Sequence, residues 1–130
     1  MSKIYLVTGA SGFLGSHIAD YLHSKKNKVR LFDKKKSKYK KKGQQMILGN
    51  INRLKDLNNA MNNVNTVFHF AASADLNYSN QTPFETIESN IMGTINVLKS
   101  CLKNKVKKII FASSIYARSE QGGIYSTSKL

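Results

Sequence analysis

The spacing of apolar residues along this chain alternates between the unbroken or twofold runs of strands and the three-and-four steps of helices. Residues 3–8 form a β-branched and aromatic run that ends in a glycine-rich turn, and Phe13, Leu14, Ile18, Ala19 and Leu22 then recur at helical steps. Strand, turn and helix are predicted in that order. Residues 29–33, 45–49, 66–70 and 106–111 read as four more strands, the third of these apolar enough to be covered on both faces. Leu54, Leu57 and Met61 predict a short helix between them. Thr82, Pro83 and Glu85 combine an N-cap threonine, a proline at the first helical position and a glutamate three after the cap, the pattern of a capping box. The helix predicted there carries Phe84, Ile87, Ile91, Ile95, Leu98 and Leu102 on one face for about five turns. Another helix is predicted from Tyr125 onward. Strands and helices alternating throughout predict an α/β fold with a doubly wound parallel sheet of about five strands. No internal repeat or interdomain linker interrupts residues 1–130, which read as one domain.

Charge changes this picture at one place. The chain has 21 Lys and Arg against 7 Asp and Glu, a formal net charge of +14. Seven of the cations are Lys34, Lys35, Lys36, Lys38, Lys40, Lys41 and Lys42, a run without acidic partners that reads as a solvated loop. A polyanion could bind there, but only Tyr39 supplies an interleaved aromatic, so a nucleic-acid partner is not expected. Cys101 is the single cysteine, which excludes a disulfide framework or a cysteine-built zinc site within the chain and suits a reducing, cytoplasmic setting. No apolar stretch reaches membrane-spanning length, and the apolar start is too short for a signal-peptide core.

The first turn holds the candidate chemistry. Thr8-Gly9-Ala10-Ser11-Gly12-Phe13-Leu14-Gly15 lies between a predicted strand and a predicted helix, the context that a dinucleotide fingerprint requires. Gly9 permits the turn, Gly12 the approach of a pyrophosphate, and Gly15 close packing of helix on strand. The helix N-terminus then offers free amides to the phosphates, making Gly9, Ser11, Gly12, Phe13, Leu14 and Gly15 candidate cofactor contacts. Asp33, at the end of the second strand, can accept hydrogen bonds from the adenosine ribose, which favours NAD over NADP. Lys34 and Lys35 stand beside it and could offset its charge toward a 2′-phosphate.

These residues, with His69-Phe70-Ala71-Ala72, the stretch from Asn90 to Leu98, Phe111-Ala112-Ser113-Ser114, and Tyr125 and Lys129, resemble the extended short-chain dehydrogenase/reductase family of NAD-dependent epimerases and dehydratases. The likeness covers the whole chain. It implies a Rossmann-type fold and an epimerase, dehydratase or reductase acting on a nucleotide sugar, with catalysis that starts by oxidising a sugar hydroxyl. A spacing of four on a helix puts Tyr125 and Lys129 on one face, and a cation beside a phenol eases its loss of a proton. Tyr125 is the expected base, Lys129 its partner and a ribose contact, and Ser114 the hydroxyl on the reacting oxygen, with Ser113 its close competitor. Ala71, Ala72 and Ser73 would border the cofactor, Asn90 would organise active-site hydrogen bonds, and Asn50 and Ile51 would flank the adenine. Asn50 departs from the family's acid there, and its amide can partly replace it as an acceptor. His69 reads as a packed strand residue, with no second ligand to suggest a metal.

One departure from the family pattern is the short stretch between Ser114 and Tyr125, which lacks the usual Val-Tyr-Gly signature and puts the substrate class in doubt more than the reaction class. The family also needs further strands and a C-terminal subdomain that grips the sugar nucleotide. The chain is therefore expected to be an incomplete domain that ends inside a helix. Two rivals remain, a dinucleotide-binding module or inactive fragment without turnover, and polyanion binding through residues 34–42. Homodimer pairing through the helix bearing Phe84 to Leu102 is expected from the resemblance alone.

Overall fold

In the strand Ile4–Thr8 (β1), Leu6 and Val7 are both fully buried yet belong to different apolar clusters, because successive side chains of a strand point to opposite faces. The sheet is therefore covered on both sides. The computed structural model describes residues 3–130. Four more strands, β2 (Lys28–Asp33), β3 (Gln45–Leu48), β4 (Thr66–His69) and β5 (Lys108–Phe111), complete a parallel sheet in the order β3-β2-β1-β4-β5. On one face Val7, Leu31 and Val29 pack with Ala19 and Leu22 of helix α1 (Phe13–Ser24). On the other, Leu6, Phe32 and Val67 pack with Leu57 and Met61 of α2 (Leu54–Met61) and with Val97 and Cys101 of α5 (Gly93–Lys103). The doubly wound architecture predicted from the alternation is the one observed.

The chain runs outward from β1 to β3, then returns to place β4 on the other side of β1. This reversal splays the connections at the carboxyl ends of β1 and β4 and opens a crevice between them, the usual ligand position of such sheets. No helix among the described residues is long and apolar enough to cross a membrane.

Three expectations need correction. A helix not predicted, α3 (Leu76–Gln81), precedes α4 (Pro83–Ile87), with Asp75 as its N-cap accepting from the Tyr78 amide at 2.9 Å. Thr82 is consequently the C-cap of α3 as well as the N-cap of α4, and its hydroxyl donates back to the Tyr78 carbonyl. The capping box does not form. Glu85 accepts from the Tyr78 hydroxyl instead.

The helix expected to continue unbroken for five turns is interrupted by a π-helical turn, Glu88–Met92, whose extra residue is marked by the Gly93 amide reaching back to the Glu88 carbonyl. Its apolar face also points outward. Phe84 and Leu102 are about four-fifths exposed, whereas Thr86, Asn90, Gly93, Val97, Ser100 and Cys101 are buried. Mostly small side chains fill the buried face, and the apolar stripe lies on the surface.

Finally, α6 (Gly123–Lys129) begins before Tyr125, after two short 3-10 turns, Ile115–Arg118 and Glu120–Gly122. Their backbone bends are held by the Ser114 and Ser119 hydroxyls.

Candidate active site

The turn after β1 is built so that side chains are excluded from it. Gly9 has φ +67°, and a Cβ there would lie 2.7 Å from the Ala71 amide nitrogen, so β4's continuation passes directly against the turn. A Cβ on Gly15 would overlap the Gly9 carbonyl oxygen. Gly12, at the N-cap of α1, provides no side chain to satisfy the first-turn amides. Those amides and the positive end of a three-turn helix are thereby left facing the crevice. A turn closed to side chains, with open amides at a helix N-terminus, has the form of a cradle that can receive a phosphate.

Asp33 closes one side of the cradle. Its carboxylate accepts from the Ser11 amide (3.0 Å) and the Lys35 amide (3.2 Å). The Ser11 hydroxyl donates to the Lys35 carbonyl at 2.7 Å, which pins the start of the lysine-rich segment to the phosphate turn. Beyond β3, Asn50 accepts from the Asn52 amide (2.9 Å) and donates its own backbone amide to Asp56 (3.0 Å). Ile51 is buried, and its carbonyl is held by Asn96.

The opposite wall depends on two buried polar networks. The Thr94 hydroxyl donates to the Asn90 carbonyl (2.6 Å), so at 2.9 Å from His69 it can only accept, which requires a proton on His69 Nε2. His69 Nδ1 is then the acceptor for the Thr8 hydroxyl at 2.7 Å. The Thr8 oxygen in turn receives the Phe70 and Ala71 amides, both at 3.2 Å. Every group in the chain of hydrogen bonds is satisfied with His69 neutral. Burial first, and the nearby Lys129 cation second, hold its pKa down to about 4.

In the second network the π-turn presents Asn90 inward. Its Oδ1 accepts from the Ser73 amide (2.7 Å), and its Nδ2 lies 3.0 Å from the Ser73 carbonyl and 2.8 Å from the Ser128 hydroxyl. One side-chain amide thus joins the strand-end loop to α6. Ser128 also donates to the Tyr125 carbonyl.

On α6, Lys129 Nζ donates to the Ala112 carbonyl (3.1 Å) and sits 4.9 Å from the Phe111 ring centroid. Burial lowers its pKa. Tyr125 packs edge-on against Tyr116, with centroids 6.4 Å apart. The Ser126 hydroxyl donates to the Tyr116 carbonyl and fixes the short 3-10 segment to the helix.

A single cleft of about 970 Å³ is lined by Gly9, Gly12, Phe13, Leu14 and Gly15, by Asp33, Asn50 and Ile51, by Ala71, Ala72 and Ser73, and by Tyr125 and Lys129. Residues far apart in the sequence are thus brought together. Ser11, Asn90 and Ser114 do not line it, and each acts on a neighbour instead. The Ser114 hydroxyl accepts from the Tyr116 amide, whereas Ser113 is on the cleft wall with its hydroxyl toward the Lys129 carbonyl. Tyr78, Glu85, Glu88 and Ser89 also line the cleft and were missed from the sequence. The one signal for them was Asp75, a helix-capping residue three before Tyr78.

A profile of the NAD dependent epimerase/dehydratase family matches residues 5–129. The chain is similar to a UDP-N-acetyl-alpha-D-glucosaminuronate decarboxylase of Bacillus cytotoxicus, 36% identical over 124 residues, covering 88% of the chain and 37% of that protein. It is also similar to a UDP-glucose 4-epimerase of Halalkalibacterium halodurans, 32% identical over 118 residues, covering 84% of the chain and 34% of that protein. Among solved structures, a UDP-glucose 4-epimerase of Thermus thermophilus in complex with NAD superposes with a TM-score of 0.85 at 27% identity, over 97% of the chain and 47% of that structure. The chain spans about a third of the length of these two curated relatives.

Proposed function

The chain belongs to the NAD dependent epimerase/dehydratase family, and on that premise we propose that it binds NAD in the β1–β4 cleft and contributes the oxidising half of a nucleotide-sugar epimerase or dehydratase. The observation that carries this reading is the meeting of the glycine cradle, Asp33, Tyr125 and Lys129 in one cleft. The cradle, with its excluded side chains and open amides, fits the pyrophosphate of a nicotinamide dinucleotide. Asp33 accepts from the adenosine ribose hydroxyls, where a 2′-phosphate would meet its negative charge, so NAD is preferred to NADP. Ser11 orients that carboxylate through its amide. Asn50 and Ile51 flank the adenine, and the small Ala71, Ala72 and Ser73 let the cofactor run close to the backbone.

Tyr125 takes the proton from a sugar hydroxyl, and Lys129, held by Ala112, keeps a positive charge beside the phenolate and binds the nicotinamide ribose. When bound, NAD supplies the hydride acceptor. Ser114 or Ser113 donates to the reacting oxygen, and Asn90 keeps Ser73 and α6 in register. The relatives named for UDP-glucose and a UDP-sugar acid support a nucleotide sugar as the substrate class. The exposed apolar stripe Phe84, Ile87, Ile95, Leu98 and Leu102 supports pairing with a second copy.

A second reading, dinucleotide binding without turnover, is favoured by the position of Ser114 off the cleft wall, at the start of the short segment before α6. Calorimetric titration of the chain with NAD, and of Asp33→Ala, tests the cofactor assignment. Binding weakened at least about tenfold by the substitution is expected, given charge-assisted hydrogen bonds of roughly 1.5–3 kcal/mol. A folded chain that binds no NAD would overturn the assignment. Tyr125→Phe separates the two readings, since turnover is lost and NAD binding kept under the first, and neither changes under the second.

A further inference from the structure

We propose that the lysine-rich segment between β2 and β3 is a fixed electrostatic guide that draws the anionic dinucleotide into the cleft; the inference rests on the NAD reading above. A run of like charges ordinarily forms a mobile, solvated loop. Here it is fastened at both ends and in the middle. Ser11 holds the Lys35 carbonyl, Ser37 is buried and caps the Tyr39 amide at 3.2 Å, and Gln44 is buried with its side-chain amide on Asp20 at 3.0 Å. The Gln44 side-chain oxygen also accepts from the Lys41 amide at 2.8 Å.

The seven lysines are nevertheless all exposed. Among the described residues only Lys41 is in an ion pair, 3.8 Å from Asp20. The segment leaves β2 directly after Asp33, and Lys34 lines the cleft itself. Positive charge is therefore held from Lys34 on the cleft wall outward along the segment to Lys41 beside Asp20 of α1. The acids that oppose it are few: of the 7 in the chain, Asp33, Glu85 and Glu88 line the cleft and Asp20 pairs with Lys41. Such a field raises the rate of encounter with an anion more than it raises the lifetime of the complex.

The test is stopped-flow binding of NADH to the chain, read by the emission of NADH itself, as ionic strength rises from about 0.01 M to about 1 M and the Debye length falls from about 30 Å to about 3 Å. The association rate constant is expected to fall on the order of tenfold or more across that range, with little change in the dissociation rate. The variant K36Q/K38Q/K40Q/K42Q should associate slowly and lose most of the salt dependence. NADPH, with its extra phosphate, should show the steeper salt dependence of the two. A control variant, K55Q/K99Q/K103Q/K107Q, removes the same charge from helices and loops elsewhere and should stay within about twofold of the parent.

Association that ignores salt, or that falls equally in the two variants, overturns the guide. So does tight, salt-dependent binding of a single-stranded oligonucleotide that NADH leaves unchanged, because the segment would then serve another ligand. Absence of NADH binding in every protein sinks the NAD reading itself, and that outcome is distinguishable from the others.

Discussion

His69 shows how one buried side chain can fix several others. Thr94 must donate to a helix carbonyl, so it assigns the histidine proton to Nε2; Thr8 must then donate to Nδ1 while its oxygen takes the two amides that shape the loop beside Gly9. A second proton on the ring would face an oxygen with no lone pair left. The ring is therefore neutral in the native state, with a pKa of about 4 against an unfolded value near 6.5. Above pH 6.5 both states are neutral and stability does not depend on this group. As pH falls from 6.5 toward 4, the unfolded chain takes up a proton that the native one refuses, and stability drops. The loss should reach on the order of 3 kcal/mol by pH 4, at most about 1.4 kcal/mol per pH unit. Urea denaturation across this range should show the slope in the parent and a shallower one in His69→Gln; identical slopes would exclude His69 as its source.

At the scale of elements, the π-turn lines the cleft with Glu88 and Ser89 and braces it from behind through Asn90. Asn90 alone ties Ser73 to Ser128. In Asn90→Ala, the Ser73 amide and carbonyl lose their partners, which should cost about 2–4 kcal/mol in unfolding free energy and weaken NAD binding as α6 and the loop drift apart. Unchanged stability and affinity would show that the tether is dispensable. This region also marks the limit of sequence-based reading. The strands, α1, α2 and the glycine turn were legible, because each rests on local periodicity or on residues with one physical use; the joining of Tyr125 and Lys129 to Asp33 was expected from the family resemblance. The π-turn was not, since an inserted residue leaves the apolar spacing almost intact while rotating the next turns of the helix. Nor was α3 legible, its six residues Leu76–Gln81 being too few and too polar to show a periodicity. The direction of Phe84, Ile95 and Leu102 was open to two readings, since an apolar stripe reads the same whether it meets a sheet or a second molecule, and only the resemblance favoured the second.

For the molecule as a whole, that stripe and the charge distribution define two different surfaces. The apolar one exposes Phe84, Ile87, Ile95, Leu98 and Leu102 along one stripe, and on the proposed pairing the protein should self-associate. Sedimentation or light scattering should show mass rising with concentration, and Ile95→Glu with Leu98→Glu should return it to the monomer while NADH binding persists. A monomer at all concentrations in the parent would remove the pairing. The cationic surface, by contrast, is fixed in shape yet tolerant in detail, because its lysines act through their summed field. The π-turn has the opposite property, and its consequence is evolutionary. The segment between β2 and β3 can gain or lose residues at its exposed tip with little effect on the fold. The stretch from Asn90 to Val97 cannot change length by even one, since each residue added or removed there turns Asn90 by about 100° relative to Val97. Insertions and deletions among descendants of this chain should therefore collect in the lysine-rich segment and spare the helix with the extra residue.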